Sequence, residues 1–109
     1  MKSIIDQDLI LKGKKVLVTG ASGGIGKAIA MQLSSSGADL CLTGRNKSAL
    51  ENLQKIIGGN CQIIISDLSN SEGIINLADQ AQEIMGQIDI LVNAAYLITT
   101  FELEVKPLD

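Results

Sequence analysis

Residues 16–26 read Val16-Leu17-Val18-Thr19-Gly20-Ala21-Ser22-Gly23-Gly24-Ile25-Gly26, and no other stretch constrains the fold as tightly. An apolar, β-branched run passes directly into a glycine-rich turn, which opens a helical pattern. Strand, tight turn and helix start in that order form a βα unit of the dinucleotide-binding kind. Gly20 turns the chain where a Cβ would clash, and Gly23 or Gly24 lets the backbone approach a pyrophosphate. Gly26 lets the following helix sit close on the strand. The free N–H groups at that helix start, with the helix dipole, favour an anion there.

The wording of the turn says more than its glycine count. Thr19-Gly20-x-x-x-Gly24-x-Gly26 resembles the short-chain dehydrogenase/reductase family. The G-x-G-x-x-G spacing of other dinucleotide folds is not met, because Ile29 stands where its last glycine belongs. Gly26-Lys27 nearly spells a P-loop, but Ala21 and Ala28 replace its first glycine and its Ser/Thr, leaving no magnesium ligand. A glycine-rich connection without a ligand is the plain alternative, and the strand before and helix after argue against it.

The 109 residues suffice for one domain with a core, few for a dehydrogenase. They are 46% hydrophobic but only 2% aromatic, so Ile, Leu, Val and Ala must build that core. Parallel sheets covered on both faces are made of such residues. A net charge of −3, with scattered Lys and Arg, argues against nucleic acid or an anionic membrane as partner. Cys41 and Cys61 read as small buried hydrophobes of a reducing compartment. There is no histidine and no Cys pair at metal-ligand spacing. Residues 1–11 lack a signal-peptide core, and no apolar run reaches the roughly 18 residues of a membrane span. The expectation is a soluble, cytoplasmic chain.

Glycines punctuate an alternation of strands and helices. Expected strands cover 14–19, 38–43, 61–66 and 88–92. The first helix, 25–35, places Ile25, Ile29 and Leu33 on one face, with Gly37 as its stop. Asn46 caps the second, where Leu50, Leu53 and Ile57 share a face before Gly58-Gly59. Ser69-Asn70-Ser71-Glu72 has capping-box spacing for the third, which turns Ile74, Leu77, Ala81 and Ile84 inward and ends at Gly86. After Asn93 the pattern weakens, and Pro107 would suit the first turn of another helix. Helical crossovers between four strands predict a Rossmann-type α/β half, a parallel sheet in order 3-2-1-4 with helices on both faces. Ligands of such sheets bind beyond the carboxyl ends of the strands at the switch point between strands one and four. Residues 19–26, Gly44-Arg45, Asp67-Leu68 and 93–96 all fall at those ends.

The end of strand two bears on the cofactor. NAD-preferring folds usually carry a carboxylate there for the ribose 2′-OH. Here Gly44 takes the acidic position and Arg45 follows, whose guanidinium suits a 2′-phosphate. That favours NADP (NADPH) over NAD, with a solvated Arg45 opening helix two as the alternative. Asp39 is no substitute, since it begins the strand.

The family resemblance adds further positions. Asp67, beside Leu68, is similar to the family residue that contacts adenine; a turn or capping aspartate is the other reading. Asn93-Ala94-Ala95-Tyr96 resembles the family's Asn-Asn-Ala-Gly, matching at Asn93 and Ala95 and departing at Ala94 and Tyr96. The resemblance therefore implies cofactor contacts at Thr19, Gly20, Ser22, Gly23, Gly24, Ile25, Gly26, Arg45, Asp67, Leu68, Asn93, Ala94 and Ala95. It spans nearly the whole chain and looks like the first half of a 3-oxoacyl-carrier-protein reductase-like enzyme. The family's catalytic serine, Tyr-x-x-x-Lys and further asparagine come from the second half and cannot be placed here. Tyr96 is the only tyrosine, and Thr100 stands where its lysine would be. A carbonyl or alcohol substrate is thus implied only for a completed enzyme. The expected division is an extension over 1–12, an NAD(P)-binding half-domain over 13–96, and over 97–109 the start of a segment leading to a missing second half. The turn also satisfies Thr-Gly-x-x-Gly-x-x-Gly of extended members such as nucleotide-sugar epimerases, against which stand Gly44-Arg45 and the run from Gly86 to Asn93. A non-catalytic nucleotide-binding module or truncated remnant is the rival from another class. The apolar fourth strand, outermost in this order, predicts self-association.

Overall fold

The computed structural model describes residues 10–94. Strands β1 (Lys15–Thr19), β2 (Asp39–Gly44), β3 (Cys61–Ile65) and β4 (Ile90–Asn93) alternate with helices α1 (Gly24–Ser35), α2 (Lys47–Ile57) and α3 (Ser71–Met85). All pairings are parallel and the order is β3-β2-β1-β4, as expected. β1 lies inside the sheet between β2 and β4, and Val16 and Val18 are fully buried.

Alternation along the strands separates two cores. Val16, Val18, Leu40 and Leu42 face α1 and α2, meeting Ala30, Leu50 and Leu53. Leu17, Cys41 and Ile64 face α3, meeting Leu77, Ala81 and Met85. The chain steps outward from β1 to β3 and then returns past β1 to β4. Right-handed crossovers therefore put the third helix on the opposite face from the first two.

The helices differ from the sequence pattern in their inner faces. On α1 the buried residues are Gly26 and Ala30, while Ile25 is 55% exposed. α1 lies so close to β1 that its small residues take the inner row, and Ile25, one position away, is turned outward. On α3 the buried row is Leu77, Ala81 and Met85, whereas Ile74 and Ile84 are about half-exposed at 52% and 48%. Leu77, Ala81 and Met85 stand four residues apart and share one row, and Ile84, one position before Met85, is turned away from it. The α3 cap is Asn70, not Ser69. Asn70 Oδ1 accepts from Gly73 N at 2.7 Å, while Ser69 N is already engaged by Asp67 Oδ1 at 2.9 Å. Asn46 caps α2 as expected, accepting from Ala49 N at 3.1 Å. β4 begins at Ile90, two residues later than its apolar run. Just before it Asp89 N donates to Lys15 O at 2.8 Å, and the Asp89 carboxylate accepts from Lys15 N at 2.8 Å. Tyr96 and Pro107 lie outside the described residues.

Cys41 and Cys61 are buried and unbonded, one in each core, on opposite faces of the sheet. Burial pushes the Cys41 thiol up to about 11, with the neighbouring Cys61 adding to the shift, and burial alone does the same for Cys61. A disulfide-exchange reagent at pH 8 should therefore modify neither thiol in the native protein and both after denaturation. Rapid native labelling would contradict this packing.

Candidate functional site at the carboxyl ends of the strands

The carboxyl ends of all four strands point one way, and the loops that leave them form a rim. Its middle is the glycine crest between β1 and α1. Gly20 turns the chain at φ +65°, a conformation that glycine adopts without strain. A Cβ at Gly26 would collide with the Gly20 carbonyl oxygen, and would stand 2.7 Å from the Gly20 carbonyl carbon and 2.9 Å from Ala21 Cα. These are backbone atoms and cannot swing aside, so α1 docks at this distance only with glycine. A Cβ on Gly24 would meet nothing within 4 Å. The space outside the crest at Gly24 is therefore open.

The amino end of α1 differs from the other two. Gly23 is its N-cap and supplies no side-chain bond, and its first turn holds no acidic residue. Asn46 and Asn70 serve that need for α2 and α3. The first-turn N–H groups of α1 therefore face the rim without a side-chain acceptor, the arrangement that receives an anion.

Hydroxyl groups tie the rim together. Thr19, 4% exposed, donates from Oγ1 to Asn93 Oδ1 at 2.6 Å, its direct partner in the β1–β4 register. Thr43 Oγ1 and Ser66 Oγ lie 2.5 Å apart, and Ser66 N donates to Gly44 O at 2.9 Å. Ala21 N donates to Thr43 O at 3.1 Å, clipping the crest to β2. Ala94 is buried at 2% exposure, so the position where the family pattern has a second asparagine is filled by a methyl group inside the fold. Ala95 lies outside the described residues.

Arg45 and Asp67 stand exposed at the ends of β2 and β3. The Ser69 backbone N–H, then its hydroxyl, then the Arg45 charge hold the Asp67 carboxyl below the usual carboxylate range. A lowered value means the carboxylate is charged throughout the neutral range. Its stabilising contribution is lost only as pH falls through that lowered value. Leu68 is half-buried against the α3 core, which anchors the loop that carries Asp67.

Gly73 escaped the sequence pattern. A Cβ there would overlap the Asp67 carbonyl oxygen and stand 3.0 Å from the Asp67 carbonyl carbon. The first turn of α3 thus packs on the backbone of the Asp67 loop. A glycine at the third position of a capped helix, where propensity disfavours it, was the available signal. A cavity of about 270 Å³ lies outside this loop, between β3 and α3. Ser66 and Asp67 line it, so it adjoins the β3 end of the rim, and no residue of β1, β4 or the crest reaches it. Among the described residues no His, Cys, Asp or Glu group is arranged to hold a metal ion, and no helix is long and apolar enough to cross a membrane.

The short chain dehydrogenase family model matches residues 14–106. The chain belongs to the short chain dehydrogenase family. Among curated relatives of this dehydrogenase family, glucose 1-dehydrogenase of Gluconobacter oxydans is 40% identical over 99 residues, covering 86% of this chain and 37% of that protein. The 3-ketoacyl-(acyl-carrier-protein) reductase of Brucella melitensis, solved with NADH, superposes with a TM-score of 0.70 at 30% identity. It covers 74% of this chain and 33% of its own. The Pseudomonas aeruginosa RhlG/NADP active-site complex gives a TM-score of 0.72 at 36% identity, over 78% of this chain and 34% of its own. The chain thus spans little more than a third of the relatives it matches, and corresponds to the N-terminal portion of a family oxidoreductase.

The glycine contacts predict a ranking. Gly26→Ala should lower unfolding stability by about 2 kcal/mol or more through overpacking, and Gly73→Ala should also destabilise. Gly24→Ala, with open space and a helical position, should be neutral or raise stability by up to about 1 kcal/mol. Urea denaturation checks the order. A Gly26→Ala protein as stable as the parent would refute the close approach of α1.

Proposed function

We propose that this chain is the NADP-binding portion of a short chain oxidoreductase that moves hydride between a nicotinamide and a carbonyl or alcohol when complete. The observation that carries the reading is the amino end of α1, without a side-chain cap, beside a glycine crest that is open at Gly24. An incoming pyrophosphate finds there unpaired N–H donors and no Cβ to displace. Thr19, Gly20, Ser22, Gly23, Gly24, Ile25 and Gly26 form the phosphate-side contacts. Asn93, Ala94 and Ala95 border the ribose and nicotinamide half, and Asp67 and Leu68 the adenine. Arg45, exposed at the end of β2 after a glycine rather than a carboxylate, supports NADP over NAD. The cofactor supplies the hydride when bound. The chain holds, orients and charges the pocket around it.

Proton transfer is not provided for in residues 1–109. The only tyrosine, Tyr96, has no lysine four positions on, and a hydride needs a matching proton donor. We assign no catalytic residue to this chain, and place it in the cytoplasm as a soluble half-domain over 13–96. Self-association belongs to the same reading. Among the described residues β4 is an edge strand of the sheet, and Leu91 is 60% exposed on the face that α3 covers elsewhere.

NADPH should bind more tightly than NADH, and Arg45→Ala should weaken NADPH selectively by roughly tenfold to a hundredfold, the worth of one charge-assisted contact. Calorimetric titration decides this, and equal affinities unchanged by the substitution would sink the NADP assignment. Incubation with NADPH and simple ketones should give no oxidation of NADPH, followed by its absorbance, and light scattering should find a species larger than a monomer. Turnover abolished by Tyr96→Phe would overturn the non-catalytic assignment, and a stable monomer the association.

A further inference from the structure

In the order β3-β2-β1-β4, β3 is the edge strand opposite β4. Two hydrogen bonds fix which of its backbone groups face outward. Leu40 N donates to Asn60 O at 2.8 Å, and Ser66 N donates to Gly44 O at 2.9 Å. In a parallel ladder of this register, Asn60, Gln62, Ile64 and Ser66 turn their backbone groups toward β2, and Cys61, Ile63 and Ile65 turn theirs away. At Cys61 both groups are spent within the fold: N donates to Gly59 O at 3.0 Å, and O accepts from Gln54 Nε2 at 2.7 Å. The outward N–H and C=O of Ile63 and Ile65 have no hydrogen-bond partner among the described residues. The edge is thus sealed at its amino end by an α2 side chain and open along its carboxyl half. Natural sheets blunt such edges with Lys or Pro, and Cys61-Gln62-Ile63-Ile64-Ile65 contains neither.

Beside the open half lies the cavity of about 270 Å³ between β3 and α3. Pockets that enclose a whole small molecule run about 300–1,000 Å³, so this one is sized for a side chain. Asp67 and Glu72 line it together with the amides of Asn70, Asn76 and Gln80, and no Lys or Arg does. Ser69 N already bonds the Asp67 carboxylate, whereas Glu72 makes no hydrogen bond or ion pair to a described residue. The other face of the edge is apolar. Ile63 packs against the α1–α2 core, and alternation puts Ile65, 44% exposed, on that same side.

We propose that the outer edge of β3 takes an extended segment of another polypeptide whose residues alternate between apolar and basic. Its backbone pairs with Ile63 and Ile65, and its apolar side chains cover Ile65 on the α1–α2 side. A Lys or Arg from its other face enters the cavity toward Glu72 and Asp67. The alternation follows from period two, since neighbouring residues of an added strand go to opposite faces of the sheet. A second copy fits the backbone but not the cavity, because its own β3 brings no basic residue. The contact lies on the edge opposite β4 and is separate from self-association there.

Alternating Val-Lys and Val-Glu octapeptides, blocked at both ends, are the probes for calorimetric titration of the full chain. The Val-Lys peptide should bind and the Val-Glu peptide should not. Ile65→Pro removes an outward N–H and no β2 ladder bond, and leaves the net charge unchanged. It should weaken the Val-Lys peptide about tenfold or more. Glu72→Gln should weaken it about twofold to fivefold, the worth of one exposed ion pair. Thermal unfolding checks that both variants fold. Should Ile65→Pro fail to fold, amide exchange of the parent carries the test: the Ile63 and Ile65 amides should exchange readily alone and slow on adding the Val-Lys peptide. No binding of that peptide, equal binding of both peptides, full binding by a folded Ile65→Pro, an unaffected Glu72→Gln or unslowed amides would each overturn the proposal. A lower mass of free Ile65→Pro in light scattering, with no peptide bound by the parent, would give the edge to a second copy instead. No readout involves NADPH, so failure here and failure of the NADP reading are distinct.

Discussion

The contact between Gly26 and the Gly20–Ala21 backbone is the constraint on which the rest of this rim depends. It sets the distance of α1 from β1, and that distance decides which residues α1 can turn inward. Gly26 and Ala30 fit, and a larger side chain at either position would lift the helix. The same contact aims the first turn of α1 across the crest, so its N–H groups reach the strand ends instead of the side of the sheet. The packing of α1 and the aim of its first-turn N–H groups are one requirement here. A methyl group at residue 26 would disturb both, because the atoms it meets are backbone.

Around that fixed centre the strand ends are joined by short polar links rather than by apolar packing. Thr19 with Asn93, Thr43 with Ser66, and Ala21 N with Thr43 O connect β4, β1, the crest, β2 and β3 in sequence. Each link satisfies a group that burial would otherwise leave unpaired at a cost of about 1–3 kcal/mol, which favours the closed arrangement over a splayed one. The charged residues are placed differently. Arg45 and Asp67 are exposed, where water and salt screen them, so they add little to stability. Rigidity and charge are thus carried by separate residues, and the rim can change its charge without changing its shape.

The topology was legible in the sequence because it follows from counting. Four apolar runs, the crossovers between them and the rule of handedness lead to order 3-2-1-4 with α3 alone on its face. The inner faces of the helices were less legible. Periodicity weights large apolar residues, and so selected Ile25, Ile74 and Ile84, which the structure exposes. Burial on α1 is decided by backbone approach, which favours the smallest residues. On α3 the inner row is the four-residue series Leu77, Ala81 and Met85, and Ile84 lies one position off it. The capping error has a similar origin. Ser69 and Asn70 are both competent caps; Asn70 Oδ1 takes the Gly73 N–H, and the Asp67 carboxylate takes the Ser69 N–H that a capping box would leave to Glu72.

Three glycines show how far a residue type can be read without coordinates. Gly26 is explained by its motif, since its place in the turn implies a close helix. Gly73 and Gly44 are not, because their reasons lie across space, in the Asp67 carbonyl and the Ser22 hydroxyl. They also differ from each other. Against Gly73 stands main chain, so that glycine fixes a loop. Against Gly44 stands a side-chain oxygen that can turn, so that glycine fixes only where a hydroxyl points. A mutation at the first acts on shape, and one at the second acts on chemistry. At the end of β2 the exposed charge of Arg45 and the space at Gly44 are therefore features of different kinds. Charge acts over several ångströms and weakens with salt, whereas the space acts only at contact and is indifferent to it.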